Sequence, residues 1–280
     1  MEDQIRQLCD EYLEYEEHPD FLNELKRLVA QGDDASLRDR FYTQLAFGTG
    51  GLRGRIGAGY NRMNPYVVSR ATQGLAAYIQ KQHVADPSVV LAYDSRDYSK
   101  EFAQSAALVL CQNGIKAYVF SSLRPTPELS FAVRELNAVA GIVITASHNP
   151  KEYNGYKVYW SDGGQIVPPH DRGILKEAAI VTGRVASMHL DVALERNLLE
   201  YIDRRIDDAY LSMIGTYLLR KDALTPYAKG LKVVYTALHG TGAMLVERLL
   251  GSMGVSCISV PEQREPDGAF PTVESPNPEE

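Results

Sequence analysis

The chain has 280 residues, 45% hydrophobic and 23% charged, a globular balance with length for one large or two ordinary domains. Its formal net charge of −7 argues against a nucleic-acid surface or an anionic-membrane surface, since both need clustered Lys and Arg. Cys9, Cys111 and Cys257 lie far apart with no CxxC pair, which argues against a disulfide framework or zinc site and for a reducing compartment.

The N-terminal residues lack the basic-then-apolar profile of a signal peptide, and no apolar run approaches ~18 residues. The expected location is cytoplasmic. Residues 2–31 place Ile5, Leu8 and Leu13, then Phe21, Leu22, Leu25, Leu28 and Val29, at helical spacing. That predicts two helices, broken near His18 and Pro19. The Gly- and Arg-rich stretch 46–63 reads as a loop. Asn64 as N-cap and Pro65 at the first helical position start a helix running to about Gln82.

A regular alternation follows. Residues 88–93 read as a strand, 99–113 as a helix stopped by Gly114, and 115–120 as a strand. Residues 127–136 read as a helix, with strands at 138–145 and 155–160 and helical stretches at about 170–181 and 198–220. This is an α/β pattern: a mixed, largely parallel sheet with flanking helices. Asp222–Gly230 reads as a linker, before a strand at 231–238, a helix at 241–254 and a strand at 255–260. The expected division is a first domain over 1–225 and the start of a second α/β domain over 226–280. Two strands and one helix lie near the limit of a self-sustaining core, so the chain is expected to stop inside a domain. Residues 261–280, rich in Pro and Glu, read as a tail.

The segment richest in chemistry is TASHNP at 145–150, followed by YNGYK at 153–157. Ser147 falls just past the carboxyl end of a strand, where open α/β sheets place ligands. His148 is adjacent, Lys157 is on the next strand, and Gly155 permits close backbone approach. Such a serine becomes a nucleophile when a base or cation lies within reach, and Lys157 could be that group or a phosphate clamp. The alternative is that Ser147–Asn149 form an Asx-type turn that merely joins two strands. In GTGGLRG at 48–54, the backbone around Thr49 and Gly50 and the fork of Arg53 suit an anion; a flexible surface loop is the alternative. The GK[ST] ending of a Walker loop is missing.

In DSR at 94–96, Arg96 is either the structural partner of Asp94 or an active-site arginine. His239, in LHGTG at 238–242, reads as a local hydrogen-bonding residue, and RPTP at 124–127 as a helix start. Asp33-Asp34 and Asp207-Asp208 read as solvated, leaving no carboxylate cluster for magnesium. A serine hydrolase would need a Gly-x-Ser-x-Gly elbow, whereas Ser147 is flanked by Ala and His.

Together these segments carry a resemblance. TASHNPKEYNGYKVYW resembles the active-serine signature of the α-D-phosphohexomutase superfamily, the phosphoglucomutase/phosphomannomutase family. GTGGLRG resembles its N-terminal loop, and DSR, TPELSFAV from Thr126 and the closing PNPEE fall in the family's order. GAGYNRMNPYVVSRATQGLAAYI is most similar to the branch of phosphoglucomutase-2 and phosphopentomutase. The resemblance implies the N-terminal portion of a four-domain enzyme, an intramolecular phosphotransferase. Its phosphoserine moves a phosphoryl group between C1 and C6 of a hexose through a sugar bisphosphate. By position, Ser147 matches the phosphoserine, and its phosphoryl oxygen one ligand of Mg2+. Lys157 matches the general base, His148 a neighbour that aids proton transfer or substrate contact, and Arg53 an arginine beside the phosphoserine. Thr49, Gly50, Asn149, Asn154 and Arg96 are implied as substrate or phosphate contacts. Mg2+ and a sugar 1,6-bisphosphate activator are the implied cofactors, and sugar phosphates of glucose, mannose or pentose the partners. The family's Asp-rich metal loop, sugar-recognition loop and final phosphate loop are missing. The expectation is therefore an incomplete, inactive piece; the alternative is a catalytically inactive sugar-phosphate-binding or regulatory domain.

Overall fold

The computed structural model describes residues 2–48 and 50–279. Three helices open the chain: α1 (Glu2–Tyr15), α2 (Pro19–Gln31) and α3 (Asp34–Phe41). The first two fall where the apolar spacing put them, on either side of His18. The third stands where Asp33-Asp34 read as a solvated turn. Asp33 is its N-cap, accepting from the Ser36 backbone N–H at 3.1 Å and its hydroxyl at 2.7 Å.

Then come β1 (Gly51–Arg55), α4 (Pro65–Lys81), β2 (Ser88–Tyr93), α5 (Ser99–Gln112), β3 (Lys116–Phe120), α6 (Thr126–Glu135), β4 (Ala140–Ile144) and β5 (Tyr153–Trp160). After α7 (His170–Ala179) and α8 (Leu190–Glu195), β6 (Leu199–Ile202) completes a six-stranded sheet of order β1-β5-β4-β2-β3-β6. The pairs β2–β3, β2–β4 and β3–β6 are parallel; β5 runs antiparallel to both β1 and β4.

The sheet is covered on both faces, which explains the unbroken apolar runs of its central strands. Val89, Leu91 and Tyr93 enter the core shared with α4 and α5, while Val90 and Ala92 enter the core under α6. Ala140, Ile142 and Ile144 of β4 repeat this, against Val143 on the other side. Gly141 belongs to the α6 side: a Cβ there would lie 2.6 Å from Val133 Cγ2, so the glycine sets how closely the helix packs.

Two strands escaped the sequence reading. β1 lies in the stretch read as a loop, because GLRGR shows no apolar alternation. A Cβ on Gly51 would come within 1.8 Å of the Tyr156 carbonyl oxygen, so the glycine is what lets β1 join β5. β6 lies inside a stretch read as helix. Its buried ends Leu199 and Ile202 also fit a helical period, and pairing with β3 decides the outcome.

Helix α9 (Arg204–Thr216) leads through α10 (Lys221–Leu224) to a smaller unit, in which β7 (Lys232–Tyr235) and β8 (Ser256–Ser259) pair in parallel across α11 (Ala243–Ser252). The stretch read as a tail holds α12 (Pro261–Arg264) and a buried Phe270. Asp207, read as solvated, is 3% exposed. It binds Arg124 at 2.8 Å and faces Arg248 at 3.5 Å, so α9 joins the segment leading into α6 to α11 through charge. No described helix is long and apolar enough to cross a membrane.

Candidate active site

Strands β2 and β4 are parallel neighbours, so their carboxyl ends reach the same edge of the sheet, and the DSR and TASHNP segments leave side by side. Thr145 continues the pairing of β4, its N–H donating to the Gly155 carbonyl at 3.0 Å. The chain then turns sharply. The Ser147 N–H donates to Thr145 Oγ1 at 2.9 Å, and the Asn149 N–H to the Ala146 carbonyl at 3.1 Å. Ser147 sits at φ +59°, a left-handed conformation that non-glycine residues adopt at a cost of about 1 kcal/mol. Its hydroxyl is exposed, and the Nδ1 of exposed His148 is 3.4 Å away.

Arg96 holds this turn from beneath. Its Nη1 donates to the carbonyls of Pro150 (2.8 Å) and Tyr153 (3.0 Å), and its Nη2 to those of Ser147 (2.8 Å) and Asn149 (2.6 Å). Nε faces Asp94 Oδ2 at 3.3 Å as an ion pair. Both readings of DSR therefore meet in one residue: Arg96 pairs with Asp94 and is also built into the site, as the clamp of the serine turn. At 3% exposure with both Nη atoms engaged, it has no donor facing a substrate in this arrangement. Burial pulls its guanidinium below the usual arginine range, partly opposed by Asp94. Asn154 is likewise inward. Fully buried, it donates to Ser99 Oγ (2.9 Å) and the Asp97 carbonyl (3.2 Å) and accepts from the Gly155 N–H (2.8 Å). It fixes the DSR turn against β5 and does not face solvent.

Two cations stand on the strands that border the serine turn. In the β1–β5 register Arg53 stands opposite Gly155, and Lys157 is two residues further along β5, so both rise on one face of the sheet. Arg53 is exposed and Lys157 half-buried. Among the described residues neither side chain has a hydrogen bond or ion pair. Burial, then the neighbouring charge of Arg53, holds the Lys157 ammonium below its ordinary range, while Asp94 pulls the other way. Gly155 lets the backbone on either side pack close: a Cβ would sit 2.7 Å from the Thr145 carbonyl oxygen and 3.0 Å from that of Leu52. Gly50 borders the site at the start of β1, its carbonyl accepting from the Val158 N–H at 3.2 Å. Thr49 lies outside the described residues. Asn149 contributes its carbonyl to the Arg96 clamp.

The site thus offers an exposed hydroxyl on a strained turn, a lysine whose ammonium is held below its ordinary range and an arginine with free donors. Those features suit transfer of an anionic group to or from Ser147. Magnesium takes octahedral oxygen coordination, and Ser147, or a phosphoryl on it, is one donor. Among the described residues no three His, Cys, Asp or Glu side chains come together to hold a metal. The residues present do not make a magnesium site by themselves. Sequence reasoning passed over Thr145 and Ser99, which orient the turn; a Thr two residues before a Ser at a strand end was the available signal.

Comparison with known proteins places this geometry. The family model "Phosphoglucomutase/phosphomannomutase, alpha/beta/alpha domain I" matches residues 44–182, which contain the whole site, and the domain II model matches 208–280. The chain belongs to the α-D-phosphohexomutase superfamily. It is 39% identical over 287 residues to a Schizosaccharomyces pombe protein named "Probable phosphoribomutase", covering 99% of this chain and 48% of that one. It is 38% identical over 269 residues to a phosphoglucomutase of Staphylococcus aureus strain USA300, covering 91% and 46%. The chain therefore spans about half the length of the curated relatives it matches. A phosphoglucomutase/phosphomannomutase family protein from Burkholderia thailandensis shares its fold, with a TM-score of 0.60 at 22% identity over 83% of this chain and 46% of that one.

Proposed function

We propose that this chain carries the phosphoserine half of a phosphosugar mutase. One observation carries the reading: the Ser147 hydroxyl is exposed on a turn clamped by Arg96, and the strands bordering that turn carry Arg53 and Lys157, cations without partners among the described residues. In the forward step, the bond from phosphorus to Ser147 Oγ breaks as a bond forms to a hydroxyl of a sugar monophosphate. Lys157 takes the proton of that hydroxyl; its ammonium, held below the ordinary lysine range, gives up its own proton more readily than a free lysine does. Arg53 stabilises charge spread over the phosphoryl oxygens. The sugar bisphosphate then turns over and returns its other phosphoryl to Ser147, with Lys157 giving the proton back. His148, exposed next to Ser147, contacts substrate or assists that transfer in this reading.

The sugar is a hexose monophosphate, exchanged between C1 and C6, or a pentose phosphate. The relatives named above support both classes. Family membership suggests a Mg2+ requirement and a sugar bisphosphate activator. A bound magnesium ion would neutralise phosphoryl charge, with its further oxygen donors coming from outside this site. Three free cysteines fit a reducing, cytoplasmic setting. A second reading, an inactive sugar-phosphate-binding domain, is favoured by the missing carboxylate group among the described residues.

The test is to incubate the chain with glucose 1,6-bisphosphate or ribose 1,5-bisphosphate and magnesium, then map phosphorylated peptides. Phosphoryl on Ser147 supports the carrier reading, and the better donor names the sugar class. Sugar phosphate binding without any label would leave the inactive binding domain. Label on another residue would overturn both.

A further inference from the structure

The segment after β8 returns to the Ser147 site. Gly268 lies against the DSR turn so closely that a Cβ would come within 2.6 Å of Asp97 Oδ1 and 2.8 Å of the Asp97 nitrogen and the Ser95 carbonyl oxygen. Two residues on, the Phe270 ring lies under the Arg96 guanidinium, its centroid 5.6 Å from Cζ. Phe270 is 6% exposed and has φ +49°, a conformation a bulky residue keeps only where its surroundings impose it.

His239 supplies part of that surrounding. It is 3% exposed and stands edge-on to Phe270, with ring centroids 6.5 Å apart at 81°. Its Nδ1 lies 3.1 Å from the Glu265 carbonyl oxygen and its Nε2 2.8 Å from the Thr272 hydroxyl. A carbonyl only accepts, so Nδ1 carries a proton and donates to Glu265, while Nε2 pairs with the Thr272 hydroxyl. The ring is fixed at both ends, and the Asp267 N–H closes the turn on the His239 carbonyl at 3.1 Å.

We propose that Phe270, backed by His239, is a positioning residue for the Ser147 turn and acts through Arg96. The line of contact runs from His239 to Phe270, from Phe270 to the Arg96 guanidinium, and from its two Nη atoms to four carbonyls of the serine turn. The ring keeps water off one face of the guanidinium and attracts its charge. Water that reached Arg96 would compete for the donors that hold the turn. The smaller unit thereby sets the order of the loop that carries the serine. The relevance to phosphoryl transfer rests on the carrier reading above; the ordering of the loop does not.

The experiment is amide hydrogen exchange over residues 147–153 of the 280-residue chain, alongside phosphoryl uptake by Ser147 from glucose 1,6-bisphosphate. Phe270→Leu keeps apolar volume but removes the ring, and should speed exchange of that segment roughly thirtyfold, as expected for one desolvated cation–π contact. Phe270→Tyr keeps a ring and should stay near wild type. Gly268→Ala should loosen the turn at least as much as Phe270→Leu, because the added methyl meets backbone. Should Phe270→Leu not fold, Thr272→Val, which frees the His239 ring without touching Phe270, carries the same expectation at smaller size. Unchanged exchange at 147–153, with faster exchange confined to 265–273, would overturn the proposal. If the wild-type chain takes up no phosphoryl yet the loop still responds, the carrier reading fails and the positioning role stands.

Discussion

The Arg96 guanidinium donates to the carbonyl oxygen of Ser147 at 2.8 Å, so a buried side chain at the end of one strand holds the backbone of an exposed serine at the end of the next. Three more carbonyls of the turn share that guanidinium.

The first prediction follows from this clamp. Hydrogen bonds to a charged donor contribute about 1.5–3 kcal/mol each, and Arg96→Ala leaves four carbonyls without theirs. We expect Arg96→Ala to destabilise the chain by at least about 3 kcal/mol in urea unfolding, allowing for partial rescue by water. Arg96→Lys should recover only part of this, because a compact ammonium lacks the planar fork. An unfolding midpoint within experimental error of wild type for Arg96→Ala would show that the clamp holds nothing.

A second prediction separates strain from chemistry at Ser147. Glycine adopts φ +59° freely, while alanine retains the left-handed penalty of about 1 kcal/mol. Ser147→Gly should therefore be at least as stable as Ser147→Ala, although glycine is ordinarily the less stable of the two by about 0.5–1 kcal/mol. Neither should take up phosphoryl. Thermal melts and intact mass decide the two halves independently, and a Ser147→Gly protein clearly less stable than Ser147→Ala would mean that the turn is not strained.

What could be read from the sequence depended on whether local pattern and tertiary contact agreed. β2, β3 and β4 were legible because each apolar run serves two covered faces, and α5 because its apolar residues recur at helical spacing on one face and stop at Gly114. β1 was not, because the residues that make it a strand are glycines chosen for contact with β5, as Gly51 shows. Asp207 was read as solvated from its neighbours in sequence, but its partners Arg124 and Arg248 come from other elements. The site divides in the same way. Ser147 and His148 stood out just past a strand end, Lys157 on the next strand and Arg53 in a Gly-rich stretch read as a loop. The inward roles of Arg96 and Asn154 depend on where their donors point, which only the fold sets.

The third prediction concerns Lys157. Its folded pKa lies below the unfolded 10.5, so wherever it is charged in the native state that charge is held at a cost. Between the folded and unfolded values the unfolded chain binds more protons, and stability rises with pH. Below the folded value the penalty is constant. Lys157→Met should therefore stabilise the chain at neutral pH, and its advantage should shrink as pH climbs through the folded value toward 10.5. Added inorganic phosphate should stabilise wild type more than Lys157→Met, because the anion offsets the Lys157 and Arg53 charges. Melting curves from neutral to alkaline pH test this; a variant less stable than wild type throughout would show that Lys157 is held by packing that it stabilises.

The last prediction concerns Glu128, a carboxyl with no exposure whose two oxygens have no hydrogen-bond partner among the described residues. Burial, then the adjacent Asp207, pushes its pKa up to about 8 from 4.5. Arg124 lies 3.7 Å away, Arg248 reaches in from α11, and Tyr210 faces it from α9. Between 4.5 and about 8 the native state binds the extra proton, so stability falls as pH rises, by up to about 1.4 kcal/mol per pH unit. Asp207 is shifted the opposite way, so its contribution is lost only as pH falls below its unfolded 3.8, outside this window. Glu128→Gln mimics the protonated carboxyl. It should match wild type near the acidic end of the window and become more stable by about 1–3 kcal/mol at its alkaline end. Urea unfolding at both ends of the window measures this. A Glu128→Gln chain that is less stable at the alkaline end would mean that the ionised carboxylate, paired with Arg124, stabilises the junction of α6, α9 and α11 more than its burial costs.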